Sequence, residues 1–161
     1  MALGKIRNVV NRPPPLMHAT RHSPPLPRHD VAGRLLPTAG DTAPQRYQQA
    51  RDAYLAADYD RALHVLYPLL KALPLDVSVN KLVGYAHFAR EDYALALVPL
   101  SAATLFTPDD PEPMLISAQC LAKLGDGALA RDLAMQALET SRQNAAHADI
   151  GARAERFLAT I

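Results

Sequence analysis

From Gln45 onward, apolar residues recur every three or four positions, the spacing that lines one face of an α-helix. Val79, Leu82, Val83 and Ala86 form one such run, and Leu95, Ala96, Leu100, Ala103 and Leu105 form the next. At the join between them, REDYALALVPL (Arg90 to Leu100) reads like AADYDRALHVL (Ala56 to Leu66) and, more faintly, like LGDGALARDLA (Leu124 to Ala134). Asp58, Asp92 and Asp126 therefore fall in register at an interval of 34 residues, and so do Ala62, Ala96 and Ala130. A fixed period of this length marks an array of small supersecondary units, each of which buries its apolar face only against its neighbours.

Each unit is predicted to be two helices joined by a tight turn. A carboxylate at that turn, just before the second helix, can accept backbone N–H groups and complement the positive end of the helix dipole, so the three aspartates are read as caps. The aligned alanines, with Ala50, Gly84 and Ala118 on the first helices, mark where paired helices approach most closely. Pro74 and Pro108 close the first two units, while Arg142 stands at the third equivalent position, as suits a last unit that runs directly into a terminal element. That element is expected to be a capping helix, because Ile150, Ala154, Phe157, Leu158 and Ile161 share one face. Pro68 and Pro99 fall inside second helices; Pro68 is expected to kink its helix, and Pro99 to lie early enough to cost little.

The texture before Gln45 is different. Eight of the 14 prolines lie at or before Pro44, so residues 1–43 are expected to be a largely disordered leader and residues 44–161 the folded domain. Charge divides in the same place: six Lys and Arg against two acids up to Pro44, eleven against fourteen afterwards. The leader's basic residues are too sparse and too interrupted by proline for a nucleic-acid arm, and none is expected. Nor is a membrane span, since no apolar run approaches the necessary ~18 residues. MALGKIRNVV carries charge where a secretory segment would be apolar, so no signal peptide is expected. One cysteine, Cys120, excludes an intramolecular disulfide and is read as a buried hydrophobe in a reducing compartment.

The period of 34, the small residues Gly84, Ala118, Ala62, Ala96 and Ala130, and the closing Pro74 and Pro108 resemble the tetratricopeptide repeat. The resemblance implies an all-α fold: three helix-turn-helix repeats (about 43–76, 77–110 and 111–144) in a right-handed superhelical array, with a capping helix over about 145–160. The stretch TPDDPEPMLISAQCLAKLGDGALARDLAMQALE, with its acid and proline-rich link and gap-free last repeat, further resembles the class II chaperones of bacterial type III secretion systems, the SycD/LcrH type. That likeness implies a bacterial cytoplasmic protein that holds hydrophobic translocator proteins in a concave groove, with an extended client segment as ligand. It also carries the expectation of a homodimer, although the proline-rich leader departs from the helical N-terminal segment that contributes to dimer contacts in that family. A general repeat scaffold for protein assembly is the other reading of the same residues.

Residues of the first helices that project away from their own partner helices are the candidates for the groove: Tyr47, Arg51 and Tyr54; Lys81, Tyr85 and Phe88; Leu115, Gln119 and Lys123. Aromatic anchors beside Lys and Arg suit an extended peptide with apolar side chains, and packing of Tyr54 within the core is the alternative for that residue. Catalytic residues, a metal site and a cofactor are not expected. His18 and His22 are four apart but lie among prolines without a third ligand, and no GxSxG, HExxH or phosphate-loop pattern occurs. Asp109, Asp110 and Glu112 are read as a solvated link that caps the third unit.

Overall fold

A computed structural model of the chain describes residues 40–161. The leader's expected disorder, and His18 and His22, lie outside the described residues. Within them every regular element is helical: α1 (Ala43–Leu55), α2 (Tyr59–Ala72), α3 (Val77–Ala89), α4 (Tyr93–Phe106), α5 (Pro111–Lys123), α6 (Gly127–Arg142) and α7 (Ala148–Leu158), with a 3-10 turn at Ala145–His147. First helices begin at Ala43, Val77 and Pro111, and second helices at Tyr59, Tyr93 and Gly127. The period read from the aspartates is thus the period of the backbone. No helix among the described residues is long and apolar enough to cross a membrane.

Two kinds of turn repeat with it. Inside each unit the chain ends its first helix with a left-handed residue, Ala57 (φ 59°), Glu91 (φ 68°) or Gly125 (φ 92°). The following aspartate N–H reaches back to a carbonyl five residues earlier, from Asp58 to Ala53 (2.9 Å), Asp92 to His87 (2.9 Å) and Asp126 to Leu121 (3.0 Å). This is a Schellman ending whose last residue is already the N-cap of the next helix. Asp58 and Asp126 accept from the backbone N–H of Arg61 and Leu129, as a cap should. Asp92 departs from the expectation: its side chain makes no cap hydrogen bond and takes Arg90 Nε at 3.0 Å. The reason is local, because Arg90 stands where the other units have Ala56 and Leu124 and therefore offers a cation that they lack.

Between units a second set of caps appears. Thr42, Asp76, Asp110 and Asn144 stand 34 residues apart, each at the N-cap of the next first helix or of the terminal 3-10 turn. Asp76 and Asp110 accept from Val79 and Glu112, and Asn144 accepts from Ala146. The register of first helices therefore continues past the third unit, and α7 takes the place that a fourth first helix would occupy.

Small residues set how closely the helices pair. Ala50, Ala62, Ala96, Ala118 and Ala130 are fully buried. A Cβ on Gly84 would lie 2.5 Å from Leu100 Cγ, so α3 and α4 meet at van der Waals distance there. Another on Gly151 would lie 2.6 Å from Ser141 Oγ, which fixes α7 equally tightly on α6. In α7 the buried residues are Ile150, Gly151 and Ala154, with Phe157, Leu158 and Ile161 only partly covered. The two prolines do not interrupt their helices, which run unbroken through Pro68 and Pro99. Pro99 is the seventh residue of α4, later than expected; the carbonyls four residues before the prolines belong to His64 and Leu95, both solvent-exposed, so water can take the lost hydrogen bonds.

Successive first helices touch one another, α1 to α3, α3 to α5 and α5 to α7, whereas the second helices meet each other little or not at all. One layer is therefore closer-packed than the other, and the array bends toward the first helices.

Two substitutions test this framework. Gly125→Ala places a Cβ in a left-handed residue and is expected to cost about 1–2 kcal/mol in urea unfolding. Ala96→Leu, at a fully buried position opposite Gly84, is expected to cost about 1–3 kcal/mol through overpacking, read as a lowered melting midpoint.

Candidate functional site

The bend makes the first-helix layer the inner face, and most of the sequence-derived candidates divide there between a floor and a surface. Tyr54, Tyr85, Phe88 and Leu115 are at most 3% exposed, so they form the floor and offer no open surface as anchors. Each burial has its own cause. Tyr54 packs against Tyr59 of α2, with ring centres 5.6 Å apart. Phe88 meets the edge of Tyr93 in α4 at 5.9 Å. Leu115 is gathered with Met114, Ala137, Ile150 and Ala154, because α7 lies over the third unit as the next first helix. Tyr47, Arg51, Lys81 and Gln119 remain partly exposed, and Lys123 is exposed.

Lys81 and Tyr85 belong to a polar network that spans three helices. Glu112, near the start of α5, accepts the Tyr85 hydroxyl at 2.8 Å and lies 3.3 Å from Lys81 Nζ. Its other oxygen faces Arg153 of α7 at 3.5 Å. Lys81 also binds Asp110, the N-cap of α5, at 2.7 Å, and its ammonium stands 5.8 Å from the centre of the Tyr85 ring. Burial by itself would lower the Lys81 pKa, but the hydrogen bonds and charges of Asp110 and Glu112 outweigh it and hold the ammonium above its ordinary value. Burial, then the Glu112 charge, pushes the Tyr85 phenol well above its usual range. Lys81 stays a cation and Tyr85 a neutral donor, so the network has the charges it needs.

Asp110 and Glu112 were read from sequence as a solvated link that caps the third unit; Asp110 does cap α5, but the two carboxylates also bridge helices, and neither they nor Arg153 were among the groove candidates. The signal for Arg153 was available. Stepping by the period from Arg51 to Tyr85 to Gln119 arrives at Arg153, one helix beyond the last full unit. Glu112 gave no such signal, since Pro44 and Ser78 stand at its equivalents.

On α1 the polar atoms are less well served. Tyr54 is 1% exposed and its hydroxyl has no hydrogen-bond partner among the described residues; Arg51 Nε is buried and equally without one. These are donors on one helix face, three residues apart. Burial raises the Tyr54 pKa, and the neighbouring Tyr59 and Glu112 add to it. Cys120 is free and fully buried in the core, and that burial pushes its thiol up to about 12. Among the described residues no group of three His, Cys, Asp or Glu is placed to hold a metal ion. Two shallow cavities lie away from the inner face. One of about 290 Å³ opens between α6 and α7, and one of about 240 Å³ opens among α2, α3 and α4.

No family model and no curated protein matches the chain. Among solved structures it is similar to PcrH of Pseudomonas aeruginosa in complex with the chaperone-binding region of PopD, at TM-score 0.71 and 24% identity over 76% of this chain and 92% of that one. It is similar also to the type III secretion translocator chaperone SycD of Yersinia enterocolitica, at TM-score 0.69 and 24% identity over 76% of this chain and 92% of that one. A type III secretion complex from Aeromonas hydrophila gives TM-score 0.71 and 22% identity over 76% of this chain and 81% of that one. At these identities the likeness is one of fold. The chain has the tetratricopeptide-like fold of translocator chaperones, and it spans nearly the whole of the first two.

The two inner tyrosines should respond differently to loss of the hydroxyl. Tyr85→Phe takes from Glu112 its hydroxyl donor, leaving Lys81 and Arg153, and is expected to cost about 1.5–3 kcal/mol, the range of a hydrogen bond to a charged group. Tyr54→Phe removes a hydroxyl that has no partner and is expected to melt at the same temperature or higher. Paired thermal melts of the two variants check both.

Proposed function

We propose that the chain is a chaperone of a bacterial type III secretion system, and that it holds a hydrophobic translocator protein in the bacterial cytoplasm before export. The observation that carries this reading is the fold shared with SycD and PcrH, structures of which are described as complexes with PopD, PopB and YopD segments. The inner face is compatible with such a ligand. Its floor is aromatic and aliphatic, and its rim carries Tyr47, Arg51, Lys81, Gln119 and Lys123. An extended segment laid along it would pack its apolar side chains against the Tyr47 ring and the aliphatic stems of Arg51, Lys81 and Gln119. The mechanism is occupancy: apolar segments that would associate with one another are removed from water. No reaction is involved, and the protein is not an enzyme.

The test has two stages. Affinity capture from the native host, with mass spectrometry of the bound chain, should recover a protein with long apolar segments. Its bound segment, labelled and titrated against wild type and Tyr47→Ala/Gln119→Ala, should bind the variant about 30-fold more weakly, because both residues line the rim and Tyr47 is an aromatic anchor. The variant should stay folded, with its melting midpoint lowered only by loss of the Tyr47 ring from the edge of the core. Capture of folded soluble partners alone would favour the scaffold reading, and unchanged affinity with an intact fold would remove the inner face from recognition.

A further inference from the structure

The face that α4 turns away from the core is unlike those of its equivalents. Helix α4 (YALALVPLSAATLF) contains no charged residue, whereas α2 carries Asp60, Arg61 and Lys71 and α6 carries Arg131, Asp132, Glu139 and Arg142. Leu95, Val98 and Leu105 are exposed by 58%, 76% and 75%. Beside them the bend of the array parts the second helices, and the gap between α2 and α4 opens the recess of about 240 Å³. Its walls include Tyr67 and Leu70 of α2 and Leu95, Val98 and Pro99 of α4, and Val83 of α3 lies between them. Helices that diverge outward keep a broad partner on their rims, away from the bottom of the gap. A single extended chain can enter it.

We infer that this chain's own residues 13–20, PPPLMHAT, dock in the recess between α2 and α4. Charge singles out the segment: it is the longest stretch before Ala43 without Lys, Arg, Asp or Glu, and the α4 wall has none either. Hydrogen bonding suits it as well. The Tyr67 hydroxyl is already engaged with His87 at 2.8 Å, and the Asn80 amide with the carbonyls of Pro74 and Asp76. A ligand rich in backbone N–H groups would find few acceptors there, and three consecutive prolines bring none to satisfy. Taken up as a polyproline helix, with three residues per turn, the segment sets Pro13, Leu16 and Ala19 on one edge and Pro14, Met17 and Thr20 on the next. Pro15 and His18 are left toward water, so the segment has an apolar side for Tyr67 and Leu95 and a polar one for solvent. Its eight residues run about 25 Å in that form, close to the length of about 21 Å for the 14-residue α2. The tether is long enough. Tight turns make α1 antiparallel to α2, so the chain joins α1 at the end of the array where α2 and α4 finish, and residues 21–42 reach up to about 70 Å when extended. The inner face stays free, and a ligand there neither requires nor excludes the docked leader.

The experiment is disulfide trapping in the full chain, with oxidised glutathione as oxidant. Met17→Cys paired with Val98→Cys should close an intramolecular disulfide at a rate independent of protein concentration. That rate should be about 10-fold or more above the rate for Met17→Cys paired with Met135→Cys, a similarly exposed site on α6, because docking raises the effective concentration at one site alone. Cys120 is buried and should not compete. Adding Leu16→Glu to the first pair should bring its rate down to that of the second, with the circular dichroism unchanged. Equal rates in the two pairs, or a rate unmoved by Leu16→Glu, would overturn the proposal. So would linked pairs of chains that accumulate with concentration in place of the intramolecular bond, the result expected if a second copy fills the recess.

Discussion

Close approach between helices at a few small side chains is the constraint on which this molecule rests. Gly84 admits Leu100 to a distance that a methyl group would forbid, and the five alanines of its own and the facing register are buried completely. Helices held this close leave little room at their crossing, so the turn between them must be short and of one shape. The Schellman ending supplies it three times, with a left-handed residue followed immediately by the aspartate that starts the next helix. Only the third copy uses glycine there. Ala57 and Glu91 adopt the conformation despite their side chains, which means that packing on both sides imposes a turn the local residues would not choose.

The two faces of the array follow from that arrangement. First helices are brought into mutual contact and bury aromatic rings where they meet the second helices. Second helices are held apart and turn their outward positions to solvent, where Arg61, Lys71, Asp132 and Glu139 are at home. Leu95, Val98 and Leu105 are out of place in that setting, and nothing in the packing of the seven helices accounts for them. Side chains on the inner layer serve two ends at once: Tyr85 and Lys81 are both part of the floor or rim and part of the ties between units.

Much of the fold was legible because repetition supplies its own controls. A cap or a packing alanine seen once is a weak signal, but Asp58 with Asp126, and Ala62 with Ala96 and Ala130, confirm each other across equal intervals. The second series of caps, Thr42, Asp76, Asp110 and Asn144, was equally periodic, yet only Asp110 was read as part of a cap and the series itself was missed, because its residue type changes from unit to unit. The inner face was harder. Sequence spacing tells which residues leave a helix in a given direction, and not whether the next helix covers them. Leu115 shows the difference, since it points along the predicted face and is closed off by α7. Phe88 shows it again, turned to Tyr93. The Glu112 network was hidden for another reason: its bonded partners lie 27 to 41 residues apart, on different helices, and the period of 34 pairs none of them.

Repeat arrays generally hold together through contacts between adjacent units alone, and such chains can lose their ends while the middle stays intact. Glu112 alters that here. One carboxylate on α5 receives Lys81 and Tyr85 from α3 and Arg153 from α7, so three successive helices of the inner layer share a single electrostatic node. Detaching the terminal helix withdraws a cation from a half-buried acid, and the loss is felt two helices away. Fraying at the C-terminal end is thereby tied to the centre, which favours joint over stepwise loss of the last two units.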